Sequence, residues 1–147
     1  DKNMKNNLFE NYINSNSLNN VLYNAVILYK EDSLVLRNKI QSYLTEEEKT
    51  WKEYYHHCTI SLGPCKEINI PYLESKQRLL ITHLGKSDKC VAVRVLELGK
   101  VKSENNIPHI TCLVSKTGKP KDSNFITDWT EFKQPFPLNG IFQEITK

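Results

Sequence analysis

A short motif occurs twice in this chain, and each copy lies in a run of residues with strand character. The first copy, His57-Cys58-Thr59-Ile60, lies within 55–62, and the second, His109-Ile110-Thr111-Cys112, lies within 107–114. Side chains alternate between the two faces of a strand, so the histidine and the threonine of each copy share a face. The sequence therefore predicts a sheet in which two strands bring two imidazoles and two hydroxyls together.

Two imidazoles and two hydroxyls in one pocket suit the hydrolysis of a phosphodiester. One neutral histidine can take a proton from water, and one protonated histidine can give a proton to the leaving oxygen. Threonine hydroxyls can donate hydrogen bonds to the phosphate oxygens, where charge develops. We therefore interpret His57 and His109 as catalytic, and Thr59 and Thr111 as phosphate-binding. This chemistry requires no metal and no cofactor, and we expect neither.

The paired motif resembles the 2H phosphoesterase superfamily, whose signature is two His-x-Ser/Thr-x motifs. The first copy continues into Ser61-Leu62-Gly63, which is similar to the longer form of the first family motif. The stretch Pro120-Lys121-Asp122-Ser123-Asn124 resembles a Pro-x-(Asp/Glu)-Ser-Asn stretch of the cyclic phosphodiesterase domains of tRNA ligases and RNA-repair proteins. The interval between the two motifs is shorter than is usual in the superfamily.

The resemblance implies a metal-independent phosphodiesterase that hydrolyses 2′,3′-cyclic phosphate RNA ends, or nucleotides, to a 2′-phosphate in RNA repair or tRNA splicing. It also implies that His109 is the base and His57 the acid. The partner would then be an RNA end or a nucleotide with a 2′,3′-cyclic phosphate. Three alternatives stay open: a 2H nuclease that cleaves cyclic or 2′-5′ signalling oligonucleotides, as anti-defence proteins do; a non-catalytic RNA-end binding module; and a structural domain with two coincidental motifs.

Four other residues are weaker candidates for substrate binding, and two further lysines could assist them. Ser115 lies an even number of residues after His109 and so on the same strand face, and Tyr55 could stack a base at the cleft rim. Arg94 and Lys116 could guide an anionic substrate, as could the lysines at 119 and 121.

Two further histidines are interpreted as structural. His56 neighbours His57 in the sequence but is expected to face the opposite side of the strand. His83 has no threonine two residues further along the chain.

Composition limits the broad class of the protein. The 147 residues are 39% hydrophobic and 25% charged, which is typical of one soluble globular domain. The net charge of +3 favours anionic partners only mildly. The absence of a long apolar run or a signal peptide predicts an intracellular protein, cytoplasmic or nuclear, without membrane contact. We expect a monomer or a domain of a larger chain.

Cysteine spacing gives no disulfide framework and no structural zinc pattern. We expect all four cysteines to be reduced, and most to be buried. They are Cys58, Cys65, Cys90 and Cys112.

The chain divides into an Asn-rich N-terminal segment, 1–22, and a single 2H phosphoesterase-like domain, 23–147. We interpret the first segment as a linker or a surface helix. In the domain, we expect a buried strand at 24–29, a hairpin of strands at 77–84 and 89–98, and a last strand at 136–146.

Helix signals occur between these strands. Asp32 or Ser33 should start a helix that carries inward four apolar side chains, and Thr45 with Glu48 predicts a capping box. The four side chains are Leu36, Ile40, Tyr43 and Leu44. Asp122 or Ser123 could cap a short helix through Ile126. The pattern predicts an α+β fold with mostly antiparallel strands, and the resemblance implies two lobes with outer helices around a central cleft.

Overall fold

The computed structural model of the protein describes Leu8 and residues 20–147. The rest of the Asn-rich segment predicted at 1–22 lies outside the described residues, and Leu8 packs against the main core. Seven strands are found in the described part of the chain: β1 (Val21–Leu28), β2 (Lys52–Glu53), β3 (His57–Leu62), β4 (Lys76–Lys86), β5 (Cys90–Glu97), β6 (His109–Val114) and β7 (Asp128–Thr146). The α-helix α1 spans Lys30–Ile40, and 3₁₀ turns lie at Gln41–Tyr43, Glu48–Thr50, Glu67–Tyr72 and Pro120–Phe125.

All the strands join in one sheet, in the order β2-β6-β3-β1-β7-β4-β5, and β5 also pairs with β6. Six strands therefore close into an antiparallel barrel, and β2 lies beside β6. The mixed content of helices and antiparallel strands agrees with the α+β prediction. The two motif strands, β3 and β6, are neighbours, but only one pair of residues is in register between them, Cys58 with Ile110.

The inside of the barrel holds the main hydrophobic core. Val91, Val93 and Val95 lie at every second position of β5 and point inward, as the alternation of a strand requires. The helix α1 buries Leu36 and Ile40 against the same core. All four cysteines are buried and free. No helix in the described part of the chain is long and apolar enough to cross a membrane.

The helix α1 begins at Lys30, two or three residues before the predicted start at Asp32 or Ser33. Both polar side chains are used for tertiary contacts instead of a cap. The Ser33 hydroxyl donates to the Tyr55 carbonyl oxygen at 2.6 Å, and the Asp32 carboxylate accepts from the Asn139 N–H at 2.7 Å. These bonds tie the first turn of the helix to the sheet, so the capping interpretation of Asp32 and Ser33 was wrong.

The prediction that Tyr43 points inward was also wrong. The helix tightens into the 3₁₀ turn Gln41–Tyr43, which changes the residue periodicity and leaves Tyr43 44% exposed. Its ring packs edge-on against Phe132 at the surface. Leu44, the last residue of the predicted set, is partly buried against the core.

Two elements near the C-terminus begin earlier in the structure than the sequence predicted. The short helix predicted from Asp122 or Ser123 is a 3₁₀ turn that begins at Pro120, with the Asp122 carboxylate accepting from the Lys119 N–H at 2.8 Å. The last strand begins eight residues before its predicted start.

The early start of β7 depends on an irregular register with β4. Ile81 pairs with Phe136, but His83 pairs with Glu131, so the intervening residues of β7 leave the regular ladder. This irregularity accommodates Pro135, which has no N–H to give to a ladder. The strand thereby continues across a proline, a residue that usually interrupts the hydrogen bonds of a sheet.

The capping box predicted at Thr45 and Glu48 is present. The Thr45 hydroxyl accepts from the Glu48 N–H at 3.1 Å, and the Glu48 carboxylate accepts from the Thr45 N–H at 2.8 Å. We expect Thr45→Ala to lower the free energy of unfolding by about 0.5–2 kcal/mol, because one N–H loses its acceptor. Urea unfolding followed by circular dichroism measures this. Thr127→Ala, at an exposed position, is the control, and an equal change in both variants would contradict the capping role.

Candidate active site

A cavity of about 450 Å³ is lined by both His-x-Thr pairs. His57 and Thr59 reach it from β3, and His109 and Thr111 reach it from β6. We call it the motif cavity. The structure thus brings together the four residues that the sequence singled out, from motifs that lie far apart in the chain.

The alternation along the two strands explains this convergence. Cys58, Ile60 and Ile110 are fully buried in the barrel core. Side chains on either side of each of them point to the opposite face of the sheet. Since Cys58 and Ile110 are paired across the two strands, the histidines and threonines of both motifs lie on the same outer face.

The ring orientation of His109 is fixed by the backbone. Its Nδ1 lies 2.9 Å from the Ile107 carbonyl oxygen. A carbonyl oxygen only accepts, so Nδ1 carries a proton and donates it. The other nitrogen, Nε2, is then the one available for proton transfer, with a lone pair when the ring is neutral and a proton when it is charged.

The His57 ring is held by two neighbouring rings. The Tyr23 ring stacks on it with centroids 5.2 Å apart, and the His56 ring meets it edge-on at the same centroid distance. The Nδ1 atoms of His56 and His57 are 3.0 Å apart. One of these nitrogens must donate and the other accept, so the two imidazoles cannot both be protonated there without losing the hydrogen bond.

Both catalytic candidates have lowered pKa values. Burial, together with the positive charges that His56 and His109 can carry, lowers the pKa of His57 to about 4. Burial also lowers the pKa of His109, while its hydrogen bond to the Ile107 carbonyl acts in the opposite direction. Burial therefore disfavours the imidazolium form of both histidines in the free protein.

The two threonines differ in their surroundings. The Thr111 hydroxyl lies 2.8 Å from the hydroxyl of the buried Ser123. If Ser123 donates this bond, the Thr111 proton is free for a ligand. The Thr59 side chain makes no hydrogen bond to another residue of 20–147, while its carbonyl oxygen accepts from the Asn105 amide at 3.1 Å.

The charge of the motif cavity suits an anion. Among the described residues that line the cavity, Lys121 carries a formal positive charge, and none is an aspartate or a glutamate. Among the described residues, no group of three or more His, Cys, Asp or Glu side chains is arranged to hold a metal ion.

The kink at Tyr55 overturns two expectations about the start of β3. Tyr55 has a φ of 51° and is 3% exposed, so its ring lies in the core and not at the cleft rim. This left-handed conformation interrupts the alternation of faces. Tyr54 consequently lines the motif cavity, and His56 lines it beside His57 instead of facing the opposite side.

The other three weak candidates lie outside the motif cavity. Ser115 and Lys116 follow the end of β6 and line a separate cavity of about 770 Å³. Arg94 pairs with His109 across β5 and β6 and shares its sheet face, yet it does not line the motif cavity. Of the lysines considered at 116, 119 and 121, Lys121 lines it.

Several residues of the site carried no signal that sequence reasoning could use. Tyr23 is brought to His57 because β1 pairs with β3. Asn105 arrives from the loop before β6, and Asn124 from the turn that follows it. Of these residues, Asn124 alone had a hint in the sequence, because it ends the Pro120–Asn124 stretch of the family resemblance. Ser123, in the same stretch, contacts Thr111.

Comparison with known proteins adds no family. A scan against protein-family models and a search of curated proteins find no match to this chain.

Proposed function

We propose that the protein is a metal-independent phosphodiesterase that opens 2′,3′-cyclic phosphates at RNA ends or on nucleotides. The observation that carries this proposal is the convergence of both His-x-Thr pairs on one cavity without carboxylates among its described lining residues. A carboxylate-free pocket with two imidazoles, two hydroxyls and a lysine offers acid, base and anion-stabilising donors together. The proposed fold is the two-lobed 2H arrangement, in which β3 and β6 each contribute one motif to a shared cleft.

The proposed reaction is an in-line displacement at phosphorus. The base removes a proton from water as its oxygen bonds to phosphorus, and the bond to one ribose oxygen breaks. The acid gives its proton to that leaving oxygen. Thr59, Thr111 and Lys121 stabilise the negative charge on the non-bridging oxygens.

Following the resemblance, we assign His109 as the base and His57 as the acid. The lowered pKa of His57 makes its protonated form a strong acid, which favours transfer to an alkoxide leaving group. The same pKa makes that protonated form scarce in the free protein. The negative charge of the bound phosphodiester raises the pKa of both imidazoles and so increases the protonated fraction in the complex.

The product identifies the reaction. Incubation of a nucleoside 2′,3′-cyclic phosphate with the protein in EDTA should give the 2′-monophosphate, as the tRNA-ligase resemblance implies, with the 3′ oxygen leaving. Phosphorus NMR or chromatography separates the two monophosphates. A dominant 3′-phosphate would refute the tRNA-ligase analogy and keep the two-histidine mechanism.

Two other outcomes of the same experiment would change the proposal. Loss of activity in EDTA, restored by a divalent ion, would point to a metal enzyme. Absence of turnover would favour the signalling-oligonucleotide nuclease or the RNA-end binding module. As a repair or splicing enzyme, the protein would act inside the cell, in the cytoplasm or the nucleus, where RNA ends are processed.

A further inference from the structure

A smaller cavity of about 330 Å³ opens beside the motif cavity. The two cavities share three lining residues, Asn105, His109 and Asn124. We propose that this smaller cavity, the side pocket, binds the nucleobase of the terminal nucleotide while the motif cavity holds the cyclic phosphate. The inference rests on the proposed function, because it identifies the part of the same substrate that lies next to the phosphate.

The chemistry of the side pocket suits an uncharged planar group. No Asp, Glu, Lys or Arg among the described residues lines it, whereas the motif cavity contains Lys121. Three asparagine amides do line it: those of Asn105, Asn106 and Asn124. An amide offers a donor and an acceptor side by side, which is the pattern presented by nucleobase edges. A second phosphate would find no cationic side chain there.

Two of these amides are held in place and one is free. The Asn105 amide nitrogen donates to the Thr59 carbonyl oxygen at 3.1 Å, which links the side pocket to the phosphate-binding strand. The Asn124 amide nitrogen donates to the Lys121 carbonyl oxygen at 3.1 Å. Asn106 is exposed, and its side chain makes no hydrogen bond within residues 20–147. Its amide is therefore available to a ligand.

Trp129 provides an aromatic wall for the side pocket. Its Nε1–H donates to the Ile126 carbonyl oxygen at 3.1 Å, which fixes the ring. The ring lies over Gly85 on β4, where an added Cβ would come within 2.5 Å of two ring carbons. Glycine at this position thus leaves the space that the indole occupies. Aromatic side chains stack on nucleobases with little preference for sequence, so a fixed indole beside three amides matches a base.

Hydrolysis rates of substrates with and without a nucleobase test the inference. The substrates are the four nucleoside 2′,3′-cyclic monophosphates and methyl ribofuranoside 2,3-cyclic phosphate, which has the same ring but no base. In the wild type, we expect kcat/KM for the nucleoside substrates to exceed that for the baseless substrate by about 5- to 150-fold, the value of one base–aromatic stack. Trp129→Ala should reduce this ratio, and Trp129→Phe should restore part of it.

Asn106→Ala provides a second test at an exposed position, where folding is not at risk. It should change the relative kcat/KM values among the four bases, because one amide that contacts a base edge is lost. The matched control is Asn38→Ala, an exposed asparagine on α1 outside both cavities, which should leave all ratios unchanged. Equal hydrolysis of baseless and nucleoside substrates by the wild type would overturn the inference alone. Absence of hydrolysis of all five substrates would overturn the proposed function, and the inference with it.

Discussion

Replacing His57 or His109 with alanine should lower kcat by about 10²- to 10⁴-fold, because each variant loses either the general acid or the general base. In free energy of activation this is roughly 2.7–5.4 kcal/mol. The double variant should lose little more than either single variant, since groups that act as a unit are not additive. Steady-state hydrolysis of a nucleoside 2′,3′-cyclic phosphate measures all three.

The control for this prediction is His83→Ala. His83 lies on β4, pairs with Glu131 across the ladder and does not line the motif cavity. The substitution His83→Ala removes an imidazole from the same sheet, so it separates a loss of catalysis from a loss of stability. Thermal unfolding of each variant should show a folded protein. Full activity in either His57→Ala or His109→Ala would refute the catalytic assignment.

Thr59→Ala and Thr111→Ala separate proton transfer from charge stabilisation within the same experiment. Each threonine is proposed to give one hydrogen bond to the phosphate, while Lys121 and the other hydroxyl remain. Their losses in kcat should therefore be smaller than those of the histidine variants. Thr111→Ala also removes the partner of the buried Ser123 hydroxyl, so its stability should be measured before its rate is interpreted.

Local pattern was sufficient for the parts of the fold that depend on alternation. The faces of Val91, Val93 and Val95 follow from period two, and so does the common face of His57 and Thr59. The closure of the sheet did not follow, because it depends on the pairing of β5 with β6 and of β1 with β7. These contacts join residues that are distant in sequence, and no local signal specifies them.

The start of β3 shows why the candidate site was predicted only in part. Tyr55 was a candidate to stack a base at the cleft rim, but its positive φ interrupts the alternation before the strand and its ring lies in the core. A tyrosine does not indicate a positive φ in the sequence, whereas a glycine often does. The buried Tyr55 hydroxyl has no hydrogen-bond partner in the described chain, so the hydrogen bonds that hold this segment are those of its backbone. The backbone N–H groups of Tyr54 and Tyr55 donate to carbonyl oxygens of β6.

The pH dependence of kcat/KM should have its optimum on the acidic side of neutrality. An unperturbed imidazole pKa of about 6.5 would alone predict an optimum near neutral pH. In the structure, the pKa of His57 falls to about 4, and that of His109 falls below its usual value. The reactive protein carries one proton on the pair, so its population is greatest between the two apparent pKa values. Above both values the acid is lost, and kcat/KM should fall by about 100-fold from pH 6.5 to pH 8.5.

The profile of kcat should be displaced to higher pH than that of kcat/KM. The former reports pKa values in the complex, where the anionic phosphate stabilises both imidazolium forms, and the latter reports those of the free protein. Measuring both parameters from pH 4 to pH 9 with a nucleoside 2′,3′-cyclic phosphate tests this order. Coincident profiles centred at neutral pH would contradict the buried, low-pKa pair.

The pH profiles of single variants then assign the acid and the base. The wild-type profile cannot do so, because it has the same bell shape whichever of the two histidines carries the proton. In His57→Ala, the residual activity depends on His109 alone. If His109 is the base, residual kcat/KM rises with pH through its pKa and levels off, since only the neutral ring accepts a proton. If His109 is the acid, kcat/KM falls with pH instead, which would reverse the roles taken from the family resemblance. His109→Ala must give the mirror-image profile, because the remaining imidazole then supplies the opposite function.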